Sequence, residues 1–391
     1  MSVTAPTNTV RIGVIGVGSM GTFHVDNLLA HKVPRAELGA ICDTDPERLA
    51  KYPQVPGFAN SSALIRSGLV DAVLVATPHY DHTTIGADAL QQGLHLLCEK
   101  PISVHKADCE ALIAAYDKRP RKEQRFAAMF QTRTEPQYIK LRQLIQSGEL
   151  GEIRRVNWII TDWFRTESYY ASGSWRATWR GEGGGVLINQ CPHNLDLMQW
   201  LFGLPSKVRG FCGLGKWHAI ETEDAVTAYL EYPNGATGVF ITSTGEAPGT
   251  NRLEITAENG RVVLEHGKLS FTRNTVPMTQ FSRTSPERFA RPDVWNVEIP
   301  VTGHAGHHVA IIHNFVDSIL DNVPLIAQGS EGIRSVELGN AMLLSSILDR
   351  GLELPLDPAM VAAEFAKLKA TSRFEKKVLK AAKNDIGASL R

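Results

Sequence analysis

Val10-Arg11-Ile12-Gly13-Val14-Ile15-Gly16-Val17-Gly18-Ser19-Met20-Gly21 decides how the first part of this 391-residue chain folds. Its first half is a short run rich in β-branched residues, the composition of a buried strand. Its second half is G-x-G-x-x-G, and Met20 to Leu29 continues as a helix pattern. Strand, glycine loop and helix in that order form the context in which a dinucleotide is held. The glycines permit a tight turn and let the backbone approach a pyrophosphate, which then sits against the helix N-terminus. A second strand, Leu38 to Cys42, ends on Asp43, about 20 residues further on, where an acid meets the adenosine ribose. A carboxylate accepts from ribose hydroxyls and repels a 2′-phosphate. The two features together predict NAD rather than NADP.

The same alternation runs on from there. Asp71 to Ala76 reads as a strand ending in Thr77-Pro78-His79, and a helix follows through Gln91. Leu94 to Cys98 is a strand that ends in Glu99-Lys100-Pro101. A helix from Lys106 to Lys118 leads to a strand over Arg125 to Phe130 and then Gln131-Thr132-Arg133. Strand–helix alternation at this pitch predicts a parallel, doubly wound sheet. Ligands of such sheets lie outside the carboxyl ends of the strands. That rule sets Gly16, Asp43, Thr77, Lys100 and Gln131 along one crevice, with Lys100 held between Glu99 and a rigid Pro101.

Beyond the helix Pro136 to Gln146 the pattern changes. Ile153 to Trp163, Lys207 to Leu214, Ala225 to Tyr232, Ala236 to Thr244, Arg252 to Ala257 and Arg261 to Glu265 read as strands with no helices regularly between them. This predicts an α+β part with a large, open, mostly antiparallel sheet carrying helices on one face. We place the division at residues 1–133 and 134–391. A sheet of that size needs its free face covered, and a homo-oligomer, dimer or tetramer, is expected to form through it. Phe271 to Asn296 reads as a long loop, and Phe374 to Lys383 as a solvated basic helix.

Composition narrows the function classes. Lys+Arg 41 against Asp+Glu 41 cancels to zero formal charge, so neither nucleic acid nor an anionic membrane is an expected partner. Hydrophobic residues make 43% and charged residues 21%, the balance of a soluble globular protein. Met1 to Thr9 lacks the apolar core of a signal peptide, and five scattered cysteines form no paired framework, so the cytoplasm is the expected compartment. His304, His307, His308 and His313 fit no defined zinc spacing. No metal is expected, and these histidines are assigned to a helix start and an interface.

Two stretches carry the substrate chemistry. Gly183-Gly184-Gly185 leads into Leu187, Ile188, Cys191, Leu195 and Met198 on one helical face, with Asn189, His193, Asp196 and Trp200 on another. Pro192 lies inside this run. Either the helix begins there, or it starts earlier and kinks. Upstream, Trp163, Arg165, Tyr169, Tyr170, Trp175 and Arg176 supply aromatic plates and guanidinium forks, the lining suited to a polyhydroxylated ring.

Gly16 to Gly21 with Met20, Thr77-Pro78 with His82, Glu99-Lys100-Pro101, Gln131-Thr132-Arg133 with Pro136, and Gly183 to Trp200 together resemble the glucose–fructose oxidoreductase / inositol dehydrogenase / MocA family, over nearly the whole chain. The resemblance implies an NAD-dependent dehydrogenase acting on a sugar, glycoside or cyclitol. It makes Lys100 and His193 the catalytic pair. Cofactor contacts then fall to Gly16, Gly18, Ser19, Met20, Gly21, Asp43, Thr77, Pro78, His79, His82, Glu99, Lys100 and Gln131. Substrate contacts fall to Asn189, Trp163, Arg165, Trp175 and Arg176. The family commonly places an aspartate one turn before the histidine, where this chain has Asn189. An amide brings no charge to the imidazole, so His193 is expected to titrate as a little-raised histidine, with activity climbing through neutral pH. Asn189 is expected to orient His193 or to bind a substrate hydroxyl. The form Asn189-Gln190-Cys191-Pro192-His193 resembles the branch that oxidises sugars and glycosides, often at the ring C3 hydroxyl. The same fold serves redox-neutral hydrolases that retain NAD, and NAD-sensing regulators. The presence of both Lys100 and His193 argues against a regulator.

Overall fold

Two sheets organise the protein, seen in a computed structural model that describes residues 8–373. The helix expected over Phe374 to Lys383 lies outside the described residues. The first sheet is built from β1 (Val10–Ile15), β2 (Ala36–Cys42), β3 (Gly57–Phe58), β4 (Ala72–Val75), β5 (His95–Cys98) and β6 (Phe126–Ala128). Their order is β3-β2-β1-β4-β5-β6, and every pairing is parallel. The order reverses beside β1, which sets the glycine loop at the switch point of a doubly wound fold, as the alternation predicts.

The second sheet comprises β7 (Ile153–Ile160), β8 (Lys207–Leu214), β9 (Glu223–Glu231), β10 (Thr237–Ser243), β11 (Asn251–Ala257), β12 (Gly260–Glu265), β13 (Lys268–Asn274), β14 (Val294–Ile299) and β15 (Leu352–Glu353). It runs β14-β13-β12-β11-β7-β10-β9-β8-β15 and is antiparallel except where β7 and β10 pair in parallel. Alternate residues Val156, Trp158 and Ile160 of β7 are buried with Phe240, Leu253 and Val262 under the helices Pro192–Phe202 and Gly332–Ile347. Among the described residues no helix covers the opposite face in this way. The register there aligns Phe211, Thr227, Ile241 and Ile159 across four strands, and Phe211 and Tyr229 stay 55% and 41% exposed.

Part of the stretch read as a loop over Phe271 to Asn296 is ordered: β13 runs to Asn274, Met278–Thr284 is a helix, and β14 begins at Val294. The missed signal is His266-Gly267, both at positive φ, a two-residue turn that reverses β12 into β13. The helix His307–Asp321 returns to the first sheet, where Ile311, Ile312, Phe315 and Val316 pack with Ile12, Val14, Leu97 and Met129. Its start holds His307 and His308 as expected, but His308 is buried beside His24 rather than offered to an interface. A buried ion pair, Lys106 Nζ to Glu337 Oε1 at 2.6 Å, ties the helix Gly332–Ile347 to the first half. Among the described residues no helix is long and apolar enough to cross a membrane.

Candidate active site

The glycine loop packs as its spacing requires. A Cβ on Gly21 would fall 1.7 Å from the Gly16 carbonyl oxygen, so the helix Ser19–Leu29 crosses the loop at a distance only glycine allows. No side chain caps that helix at Gly18, which suits its N-terminus to an anionic group. Asp43 is buried at the end of β2. Its Oδ2 accepts from the Val17 amide at 2.7 Å and from Arg48 Nη1 at 3.2 Å, and Oδ1 accepts from the Asp45 amide at 2.9 Å. The carboxylate is thereby fixed against the glycine loop. Arg48 stands beside it, a cation that sequence reading did not single out.

Other cofactor-side candidates serve as braces for the loops. The His82 ring lies 2.7 Å from the Pro101 carbonyl and 2.8 Å from that of Thr77, joining the loops after β4 and β5. His79 Nδ1 lies 3.3 Å from the Glu182 carbonyl. Glu99 meets His24 Nε2 at 2.7 Å and accepts from the Lys100 amide at 3.1 Å. Burial pushes its carboxyl up, but the His24 hydrogen bond and the nearby His24, His308 and Lys100 together hold it at about 2. The side chains of His82 and Glu99 are thus committed to protein partners.

Lys100 emerges from the crevice toward the second half, and its Nζ donates to the Asn189 carbonyl at 2.8 Å. Burial lowers its pKa from the lysine range, while Glu99 and Glu182 oppose that shift. Four residues past Asn189, His193 stands in the first turn of the helix Pro192–Phe202. Pro192 therefore occupies the first helical position, where its missing N–H costs nothing, and no kink is needed. Asn189 precedes the helix, so the expected line of amide, imidazole and carboxylate does not form. Asp196 is instead held by Arg133 through two bonds of 2.6 and 2.7 Å, both residues buried.

His193 Nε2 lies 3.0 Å from Gln131 Nε2, on the turn after β6. Gln131 thus meets the histidine directly, an alignment of residues 62 apart that spacing did not reveal. The His193 pKa is pushed well below the ordinary imidazole range, by burial first and then by Lys100 and His308. This corrects the expectation of a titration near neutrality. Its imidazole is thereby held uncharged.

The Trp/Arg segment folds into one wall around Tyr169. The Arg165 guanidinium stands 5.2 Å from the Tyr169 ring centroid and 5.4 Å from that of Trp163, and Arg176 stands 4.6 Å from Tyr169 and 4.8 Å from Trp175. Trp175 meets His79 edge-on at 6.0 Å, which joins the wall to the loop after β4. Trp163 Nε1 donates to Asn194 at 3.3 Å. The Tyr169 hydroxyl accepts from Arg176 Nη1 at 2.9 Å and from Gln190 Nε2 at 3.0 Å, and reaches Asn189 Oδ1 at 3.3 Å. Asn189 Nδ2 donates to Glu182 Oε1. Its side chain bonds Glu182 and Tyr169 and not His193, so of the two expected roles, orienting the histidine or binding a substrate hydroxyl, the first is not met. Glu182 directly precedes Gly183, a position that could have marked it: it and Asp196 are the acids of the stretch 175–200.

Comparison with known proteins agrees with this geometry. Residues 10–129 match the model for an oxidoreductase family with an NAD-binding Rossmann fold, and residues 138–263 match the GFO/IDH/MocA C-terminal domain. An inositol 2-dehydrogenase of Corynebacterium glutamicum is 29% identical over 199 residues, 50% of this chain and 55% of that protein. The chain thus spans about half the length of that relative. The rhizopine catabolism protein MocA of Rhizobium meliloti is 30% identical over 248 residues, 61% of this chain and 73% of that protein. The WlbA dehydrogenase of Bordetella pertussis, solved in complex with NADH and UDP-GlcNAcA, superposes with a TM-score of 0.74 at 26% identity, covering 89% of this chain and 100% of that one. A Rossmann half and a mixed-sheet half that each match their own family model, with a full-length relative in structure, make this chain a member of the glucose–fructose oxidoreductase / inositol dehydrogenase / MocA family.

Proposed function

We propose that the protein is an NAD-dependent dehydrogenase acting on a secondary hydroxyl of a sugar, glycoside or cyclitol, with the ring C3 hydroxyl of a sugar as its target. The observation that carries this reading is the meeting of Lys100, from the end of β5, with the segment that bears His193: the lysine ammonium rests on the Asn189 carbonyl at 2.8 Å. The relatives, an inositol 2-dehydrogenase and a dehydrogenase solved with UDP-GlcNAcA, support a polyhydroxylated ring as substrate.

The residues present fit NAD. The Gly16–Gly21 loop leaves no room for side chains at Gly21, and Asp43 is fixed at the strand end where a ribose hydroxyl would be received. NAD, when bound, would supply a hydride acceptor for the carbinol carbon. His193, held neutral by burial, takes the hydroxyl proton. Lys100 donates a hydrogen bond to the same oxygen and stabilises the alkoxide charge as it develops. Trp163, Arg165, Trp175 and Arg176 form the wall against which the ring would stack. A second copy of the chain covers the free face of the second sheet, where Phe211 and Tyr229 stand exposed.

The test is a screen of free sugars, cyclitols and glycosides for NADH formation, repeated with His193→Ala. A general base contributes about 10²–10⁴-fold, so kcat should fall by that order while NAD affinity stays intact. Normal turnover by His193→Ala would refute the assignment of the base. Release of an aglycone without net NADH would point to the redox-neutral chemistry of the same fold. In the wild type, the limb for the base should lie on the acid side of the ordinary histidine range.

A further inference from the structure

Glu182 stands at the centre of a set of contacts that the catalytic pair leaves unexplained. It is 2% exposed, and both carboxylate oxygens accept N–H donors: Oε1 from Asn189 Nδ2 and Oε2 from the Ala177 amide at 2.5 Å. The Asn189 amide is held at its other end by the Tyr169 hydroxyl, and the Asn189 carbonyl receives the Lys100 ammonium. We propose that Glu182 is a positioning residue for Lys100: its carboxylate clamps Asn189, and the Asn189 carbonyl then holds the ammonium where the reacting hydroxyl must lie. This rests on the dehydrogenase reading above and deepens it. It also gives a physical meaning to the amide at Asn189. The negative charge absent from that position is supplied by the acid to which the amide is bonded.

The groups around Lys100 show why this charge matters. Burial and the cations Arg176 and Arg165 act against the ammonium, and the acids Glu99 and Glu182 support it. Glu99 is already paired with His24 in the first half. Glu182 is the acid on the side of the second sheet. His79, His193, His308 and Cys191 also sense the lysine charge, the three imidazoles being held uncharged by burial and the Cys191 thiol protonated. Removing Glu182's charge therefore leaves Lys100 with cations and neutral groups on that side.

The experiment reads Lys100 itself. Full-length protein is acetylated with acetic anhydride over a pH series, and modification of the Lys100 peptide is followed by mass spectrometry, so no substrate is required. In Glu182→Gln the titration midpoint of Lys100 should fall by about one pH unit, with a smaller fall in Glu182→Asp. With a turned-over sugar, Glu182→Gln should lower kcat about tenfold, move the alkaline limb of the pH profile down with the Lys100 midpoint, and leave NAD affinity unchanged. An unchanged Lys100 midpoint in Glu182→Gln overturns the clamp. If that variant fails to accumulate, an unchanged midpoint in Glu182→Asp does the same. Should no sugar be oxidised by the wild type, the dehydrogenase reading fails while the acetylation series still decides the clamp.

Discussion

Replacing Glu223 by glutamine should make the protein more stable, and increasingly so as the pH is raised. Glu223 is 1% exposed. Its Oε1 accepts from the Gly185 amide at 2.8 Å and the Leu187 amide at 3.1 Å, so it pins the triple glycine turn ahead of His193. A Cβ on Gly185 would fall 2.0 Å from the Glu223 carbonyl oxygen, which shows how closely turn and strand approach. Burial, with the Glu182 charge adding to it, raises the Glu223 carboxyl from 4.5 to about 7. Between those values the folded protein keeps a proton that the unfolded chain has released. Stability therefore falls as pH rises through this window, and the full cost stands above about pH 7. At about 1.4 kcal/mol per pH unit the window corresponds to about 3 kcal/mol. Glutamine has no such titration, and its amide oxygen can accept the same two N–H groups. Urea unfolding of wild type and Glu223→Gln, followed by tryptophan fluorescence from about pH 5 to 8.5, gives the difference directly. Titrations common to both proteins, including that of Glu135, which burial also raises to about 7, cancel in this difference. The gap should move toward the variant by about 2–3 kcal/mol across the series. A gap that does not change with pH would refute the reasoning.

Cofactor choice follows from the Asp43–Arg48 pair. The wild type should bind NAD at least about tenfold more tightly than NADP. Asp43→Ser should narrow the ratio, and Arg48→Ala should weaken NADP more than NAD, because Arg48 is the cation beside Asp43, the proposed ribose ligand. Fluorescence titration of both cofactors measures this, and equal affinities in the wild type would contradict it. The free face of the second sheet gives a prediction about assembly. Light scattering should report a dimer or tetramer, and Phe211→Glu with Tyr229→Glu should lower the mass toward that of one chain without loss of NAD binding. A wild-type monomer at micromolar concentration would contradict it.

Features governed by neighbouring residues were legible in the sequence. Gly16 to Gly21 and Asp43 could be placed because the constraint on each is set by the strand or helix that adjoins it. Pro192 limited the helix start to two cases, and the structure chose the one in which its missing N–H is harmless. What escaped reading depends on partners far along the chain. Gln131 meets His193 across 62 residues and His24 meets Glu99 across 75, and no local pattern announces either. Asp196 lay on the expected polar face of its helix, yet Arg133 claims it from the other half. The low pKa of His193 has the same origin, since it comes from burial and from the Lys100 ammonium and His308 brought in by the fold.

The helix His307–Asp321 has a consequence for how the chain is made. It lays Ile311, Ile312, Phe315 and Val316 over the face of the first sheet that includes Ile12, Val14, Leu97 and Met129. That sheet is complete in sequence at Ala128, but its cover emerges from the ribosome nearly two hundred residues later. At about 5–20 residues per second this is a wait of roughly 10–40 s. For that interval the growing chain presents an apolar surface that its own nascent residues do not yet protect. Eight strands of the second sheet, β7 to β14, lie between the two segments and are made while the first sheet remains open on one side. The order of synthesis and the order of burial differ in this protein: the nucleotide-binding half begins the chain but gains this cover only after most of the second sheet has been made.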